Sequence, residues 1–515
     1  MDSADILIVG AGAAGCVLAA RLSENPDLKV LLLEAGGEPQ DPRIEDPAAW
    51  PLLQNSPIDW AYATTPQAGT AGRVHPWPRG RVVGGSTALH AMGHMRGHPS
   101  DFDAWHEAGA TGWTFAALRP YFARLETSPF AGEPFYGGDG PVMLCQPATP
   151  HPLTNAHRAA CESLGLAPIR DHNGPQMEGP TLNTLTIADG RRVSAADAYL
   201  TATVRARPNL AIMVHTRTDR LLIERGQVVG VRARRGTEET VVRARKTIVS
   251  AGSIATPAIL MRSGIGPAAD LQALGIEVVR DCPDVGRNLQ DHLLSSGNIY
   301  RARQPVPPTT TQHSESLCYA HARSQAPTDA PALVVGIVTV PVVSDALSAT
   351  PGLPALGEGY TLMYGITHPE SRGTLTLESA DPDTAPVIDP AYLTAQADRA
   401  HFGEALELAR AIGHASAYDA WREAEILPTP ADLESETSRQ TFIALAATTH
   451  HHPIGTCRMG RDDAAPVTPD LALREVAGAF VVDGSILPRL TTGPVNAAIL
   501  AVAERAADIL REQWT

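Results

Sequence analysis

The sequence predicts an α/β protein with a Rossmann-like nucleotide-binding core, and three observations carry that prediction. The chain opens as strand, glycine turn, helix and strand, the start of a parallel sheet. A second buried strand and a helix return near the C-terminus, so the same core is completed from both ends. The composition, rich in Ala with 44 Gly and 43 Pro but only 5% aromatic residues, fits a loop-rich α/β protein with closely packed backbones.

Residues 5–9 are a short apolar run, the pattern of a strand buried on both faces. Gly10 to Gly15 break it, Cys16 to Ser23 are expected to be helical, and Val30 to Leu33 form the next strand. Residues 38–80 lack any period and read as an irregular excursion. A glycine-dense region fills 80–97, and Asp101 to Leu125 are expected to be helical. Residues 209–249 read as several short strands with turns at Arg225-Gly226 and Arg235-Gly236. A helix is expected at 254–263, short strands at 333–340 and 374–377, and another helix at 398–413. Phe480 to Val482 then form a strand and Ala497 to Leu510 a helix. No repeat is visible. The expected organisation is one discontinuous domain (1–150, 195–295 and 450–515) with a second inserted into it (151–194 and 296–449).

The 515 residues carry a net charge of −15. An acidic chain lacks the basic footprint that nonspecific nucleic-acid binding needs, and it gains nothing from an anionic membrane surface. The six cysteines are scattered and form no C-x-x-C pair, which argues against a zinc site or a disulfide scaffold. With neither a secretory leader pattern nor an apolar run of the ~20 residues that span a bilayer, a cytoplasmic protein is expected, with no metal, nucleic-acid or membrane partner.

Gly10-x-Gly12-x-x-Gly15 has a mechanical reading. Gly10 permits the tight turn, Gly12 lets the backbone approach a pyrophosphate, and Gly15 lets helix and strand pack closely. The phosphate then meets the helix N-terminus at Ala13 and Ala14, where free N–H groups favour an anion. Glu34, with Ala35 beside it, ends the second strand about 20 residues on, where a carboxylate bonds a ribose hydroxyl and disfavours NADP. The motif alone does not separate FAD from NAD.

Three further stretches separate them by resemblance. Gly80 to His90 (GRVVGGSTALH), Gly252 to Gly266 (GSIATPAILMRSGIG), and the pair His452 to Gly460 (HPIGTCRMG) and Val482 to Pro488 (VDGSILP) resemble the signatures of the glucose–methanol–choline oxidoreductase family, in family order along the whole chain. The resemblance implies FAD as cofactor, a Rossmann-like FAD domain, and an inserted substrate domain built on an antiparallel sheet flanked by helices. It implies FAD contacts from Arg81, Val83, Gly84, Gly85, Ser86, His90 and Ala91, from Ala251 and Gly252, from Asp483 and Gly484, and from Pro494 and Val495. Some relatives tether FAD through a histidine in the first signature. That position is Leu89 here, so non-covalent FAD is expected. Asn288 also matches a family pattern and reads as a structural turn.

Oxidising an alcohol removes a hydroxyl proton and a hydride. A flavin accepts the hydride, and the protein supplies a base that titrates near neutrality, for which histidine is suited. Of 18 histidines, His452 stands at the family's base position. If 448–452 is β-like, His450 faces the same side as His452 and His451 points away. The family's usual second polar group is a His or Asn where this chain has Pro494, whose side chain neither donates nor accepts. His450 is the natural replacement. Within the family, this combination is similar to members that oxidise the 4-hydroxymethyl group of pyridoxine to pyridoxal, with oxygen as acceptor and H2O2 as by-product. A choline, aliphatic or aryl alcohol dehydrogenase using a quinone, and a non-redox lyase, remain open alternatives.

Overall fold

The structure, a computed structural model, describes residues 4–326 and 329–514. Two large sheets organise it. Ile6 to Val9 of the strand Ala4–Val9, and all of Val30–Leu33, are apolar, which suits strands covered on both faces of a parallel sheet. They pair in parallel, with Leu210–Met213 outside Val30–Leu33 and Glu238–Val249 on the other side of Ala4–Val9. Ala479–Val481 joins beyond Glu238–Val249, so the C-terminal region completes the sheet begun by the N-terminus. The helix Ala13–Leu22 packs against the C-terminal helix Asn496–Trp514.

The segment expected to hold several short strands is a long antiparallel meander. Thr216–Glu224, Gln227–Arg235 and Glu238–Val249 run for 9, 9 and 12 residues. The outer part of the last strand pairs with the meander, and its inner part crosses into the parallel sheet. The first expected turn is present: Arg225 and Gly226 take φ of 53° and 76°, the left-handed pair of a two-residue hairpin. Register shifts between Thr218 and Arg220 and between Leu222 and Ile223 break the two-residue period of the first strand and hide its length in the sequence. The single helix expected at 101–125 is instead two, Pro99–Glu107 and Phe115–Leu125. Gly109 and Gly112, at φ of 99° and 88°, end the first, and the Thr114 hydroxyl caps the second.

The second sheet is antiparallel and has eight strands, drawn from Gly179–Leu182 and from residues between 293 and 449. The helix Gln396–His414 covers it, burying Phe402, Ala405, Leu406, Ala409 and Ile412, the stripe a 3.6-residue period places on one face. One short strand matters most for function. Leu293–Ser295 pairs with Ala447–Thr449, Leu293 opposite Thr449, and also with Gly359–Ile366, Leu293 opposite Ile366. The residues just past these pairs, His292, Thr367 and His450, are thereby gathered at one point. Among the described residues no helix is long and apolar enough to cross a membrane.

Candidate active site

A cavity of ≈ 1230 Å³ lies between the two sheets, larger than the roughly 300–1,000 Å³ of ordinary small-molecule sites. One half is made largely of backbone. The strand ends at Val9, Leu33 and Ser250 line it, as do Gly10, Gly12, Ala13, Ala14, Glu34 and Ala35. Gly10 has φ of 99°, and a Cβ on Gly15 would lie 1.8 Å from the Gly10 carbonyl oxygen. Those are the turn and the close packing expected of the motif. Two helices, Ala13–Leu22 and Gly252–Arg262, start at this cavity, and neither N-cap residue, Gly12 or Ala251, caps its helix with a side chain; at Ala13–Leu22 this leaves donors for an anion. The second glycine stretch leans directly on the first: Gly85 has φ of 55°, and a Cβ there would lie 2.6 Å from Gly12 Cα.

Several buried polar atoms on the wall have no partner among the described residues, including Arg79 Nε, His90 Nε2, Ser250 Oγ and His451 Nδ1. Buried polar groups in proteins are normally satisfied, so these mark surface that a ligand completes. The cradle fits a dinucleotide cofactor. Glu34 accepts the N–H groups of Ala11 (2.9 Å) and Gly36 (2.8 Å) while lining the cavity. Burial pushes its carboxyl up to about 7.

Of the residues expected to meet the cofactor, Ser86, Ala91, Ala251, Gly252, Gly484 and Val495 also line the cavity. His90 does too, its Nδ1 held by Arg192 (3.0 Å). Gly15, Arg81, Val83 and Gly84 stand behind the lining. Arg81 stacks over Trp60, Val83 is buried, and the Gly84 N–H donates to the Ala11 carbonyl. Asp483 borders the cavity but spends its carboxylate on the protein, accepting from Gly252 N–H, Thr256 hydroxyl and Ser485 N–H, so it aims the helix Gly252–Arg262. Asn288 takes φ of 58°, and its amide donates to the Pro488 carbonyl, a structural staple.

The other half carries side chains. His450 and His452 both line the cavity, their ring centroids 4.3 Å apart, and Pro494 lines it as well. The route to that pairing differs from expectation. The strand ends at Thr449, and His451 sits at φ of 65°, so a left-handed bend rather than β alternation brings the two rings to one side. His451 borders the cavity too instead of pointing away. Burial first, then the neighbouring imidazoles, hold His450 and His452 well below the ordinary histidine range, so both are neutral at pH 7.

Sequence reading missed three residues around this bend. His292 Nδ1 lies 2.9 Å from His452 Nδ1, and His292 Nε2 lies 2.8 Å from the Thr367 carbonyl. Asp291 accepts the His452 N–H (2.7 Å) and the Thr449 hydroxyl (2.6 Å), and also bonds Tyr392. Arg79 donates to the His451 carbonyl (2.8 Å). Only the dipeptide Asp291-His292 following a Gly-Arg-Asn-Leu turn hinted at them. Ligand atoms of His292, His450 and His452 lie within 4.8 Å of one another, close enough for one cation, but the His292–His452 hydrogen bond already uses two of them.

A family model described as GMC oxidoreductase matches the chain in two parts, residues 4–294 and 369–503. The chain is 47% identical over 506 residues to a pyridoxine 4-oxidase of Microbacterium luteolum, covering 98% of this chain and 99% of that one. It is 36% identical to the mitochondrial choline dehydrogenase of Mus musculus, over 99% of this chain and 90% of that one. A solved pyridoxine 4-oxidase from Mesorbium loti superposes with a TM-score of 0.95 at 48% identity, covering 99% of both chains. With its glycine cradle, its paired histidines and this likeness from end to end, the chain belongs to the GMC oxidoreductase family of FAD enzymes.

Proposed function

We propose that the protein oxidises pyridoxine to pyridoxal, with His452 as general base and His450 as the second polar group at the reacting hydroxyl. The observation that carries this is the His450–His452 pair on the same cavity as the glycine cradle, with Pro494 in the wall. When bound, FAD would supply the hydride acceptor, and with oxygen as the final acceptor the by-product would be H2O2. The chain's own part is the proton. Two neutral imidazoles grip the hydroxyl, and His452 accepts its proton. The contacts assigned above to the two glycine stretches, to Ala251-Gly252, and to the 483–484 and 494–495 segments hold the cofactor. Leu89 offers no nucleophile at the tethering position, so FAD is held non-covalently and acid precipitation should release it.

The chamber wall favours this substrate over choline. The carboxylates on its wall, Glu34, Asp383 and Asp483, all belong to the cofactor half, and Asp291 behind the histidines is spent on His452, Thr449 and Tyr392, so the wall offers a quaternary ammonium no countercharge at the reacting end. The antiparallel sheet contributes apolar side chains, among them Leu317, Val334 and Met363. Beside it stand three buried atoms without a partner: Trp50 Nε1, Asn183 Oδ1 and His313 Nδ1. An aromatic ring bearing several hydrogen-bonding groups suits such a lining. The six cysteines are free, which supports the reading of a cytoplasmic enzyme. We also assign residues 1–150, 195–295 and 450–515 to the FAD domain and the remainder to the substrate domain.

The test is anaerobic mixing of the FAD-loaded protein with pyridoxine, choline and a simple aryl alcohol, followed by air. Bleaching by pyridoxine that air reverses supports the reading. Bleaching by choline alone would replace the substrate, and no recovery in air would replace the acceptor.

A further inference from the structure

We propose that His292 is a positioning residue that holds His452 in the one tautomer able to act as base, with the proton on Nδ1 and the Nε2 lone pair free. This rests on the reading of His452 as the base.

The argument follows the hydrogen bonds inward from a fixed end. The Thr367 carbonyl can only accept, so His292 Nε2, 2.8 Å away, carries a proton. His292 is fully buried beside His450, His452 and His368, and burial holds it down to about 4. It is therefore a neutral imidazole with a single N–H, already committed. Its Nδ1 is an acceptor, and the atom 2.9 Å from it is His452 Nδ1, which must donate. A neutral His452 with its proton on Nδ1 has a bare Nε2. The chosen nitrogen is thus set by the hydrogen bond that the other one makes.

The surroundings fix this chain of bonds. Strand register places Thr367 and His450 beside His292, and the His450 N–H donates to the His292 carbonyl (2.9 Å). Asp291 grips the His452 N–H from the preceding position. Asp101, itself bonded to His368 at 2.9 Å, and the carbonyls of Thr367 and Thr491 also face the ring and favour its proton, whereas burial and His368 oppose a second one. Were His292 charged, its Nδ1 would donate and push the His452 proton to Nε2, disarming the base. The arrangement therefore works only while His292 stays neutral.

The experiment uses holoenzyme labelled with 15N-histidine, with the His452 signals identified by their absence in His452→Gln. The expected spectrum at pH 7.5 shows His452 protonated at Nδ1 and bare at Nε2. A proton on Nε2 overturns the proposal, whatever the enzyme's substrate proves to be. Kinetics give a second reading. His292→Asn keeps an acceptor oxygen near the place of Nδ1, whereas His292→Leu removes it. Among FAD-replete variants, Leu should slow flavin reduction by roughly 10- to 100-fold, with Asn within about 3-fold of wild type. A Leu variant as fast as wild type, or an Asn variant as slow as Leu, would reduce His292 to packing. A His452→Ala variant with normal flavin reduction would instead remove the base reading, leaving the tautomer to the spectrum alone.

Discussion

The two halves of the cavity are built on different principles. The cofactor half is a surface of backbone: glycine turns, strand ends and two helix starts, the first supplied by residues 10–34. The catalytic half is a surface of side chains, with His292, Thr367, His450 and His452 coming from three separate segments of the antiparallel sheet. A large, anionic cofactor is recognised by many N–H groups, each of modest worth, and local chain geometry provides them. A single proton transfer depends on one nitrogen held in one orientation, and that takes long-range register.

If the halves are separable, damage to one should spare the other. The largest effect is expected from His452→Ala, which should slow flavin reduction by roughly 10²- to 10⁴-fold while leaving FAD content and absorbance unchanged. Loss of FAD in that variant would break the comparison. In the opposite direction, Gly85→Ala forces a side chain into a left-handed conformation against Gly12. It should weaken FAD binding by about 30-fold or more, as titration of the apoprotein would read. Any enzyme molecules that do load FAD should reduce it at a near-normal rate.

Glu34 sharpens the contrast through pH. Its folded pKa of about 7 stands above the ordinary 4.5, so the fold favours the protonated carboxyl. That stabilisation is fully present below pH 4.5 and is lost as pH rises through about 7, on the order of 2–3 kcal/mol in the apoprotein. The difference in melting between wild type and Glu34→Gln, followed across that window, should show it. A bound ribose hydroxyl favours the carboxylate and should flatten the slope. The smallest effect is expected at the substrate wall. Asn183→Leu removes a buried acceptor and should raise KM for pyridoxine about 3- to 10-fold with little change in the flavin reduction rate at saturation.

The elements legible in the sequence were those whose cause is local. Ile6 to Val9 and Val30 to Leu33 announce buried strands by continuous apolar character, and Gly10, Gly12 and Gly15 announce the turn between them because each does one steric task. The 216–249 meander was underestimated, since register shifts between Thr218 and Arg220 and between Leu222 and Ile223 break the alternation of its first strand. Gly109 and Gly112 lay inside an apolar periodic stretch and were overridden by it, although both end the helix.

His452, His450 and Pro494 were found in the sequence because they stand inside a contiguous family signature, and Glu34 because it stands at a fixed distance from a glycine turn. At residue 292 only the Asp291-His292 dipeptide after the Gly-Arg-Asn-Leu turn sets its histidine apart, and it does not say what the ring meets. Its partner is 160 positions away, and they meet because Leu293 pairs with Thr449 while Ile366 pairs with Leu293 from the other side. The sequence by itself determined the family and the glycine cradle, and it nominated His452 as the proposed base. The tertiary structure alone decided which nitrogen of that base is free, because tautomer choice is made by a hydrogen bond between residues that only sheet register brings together.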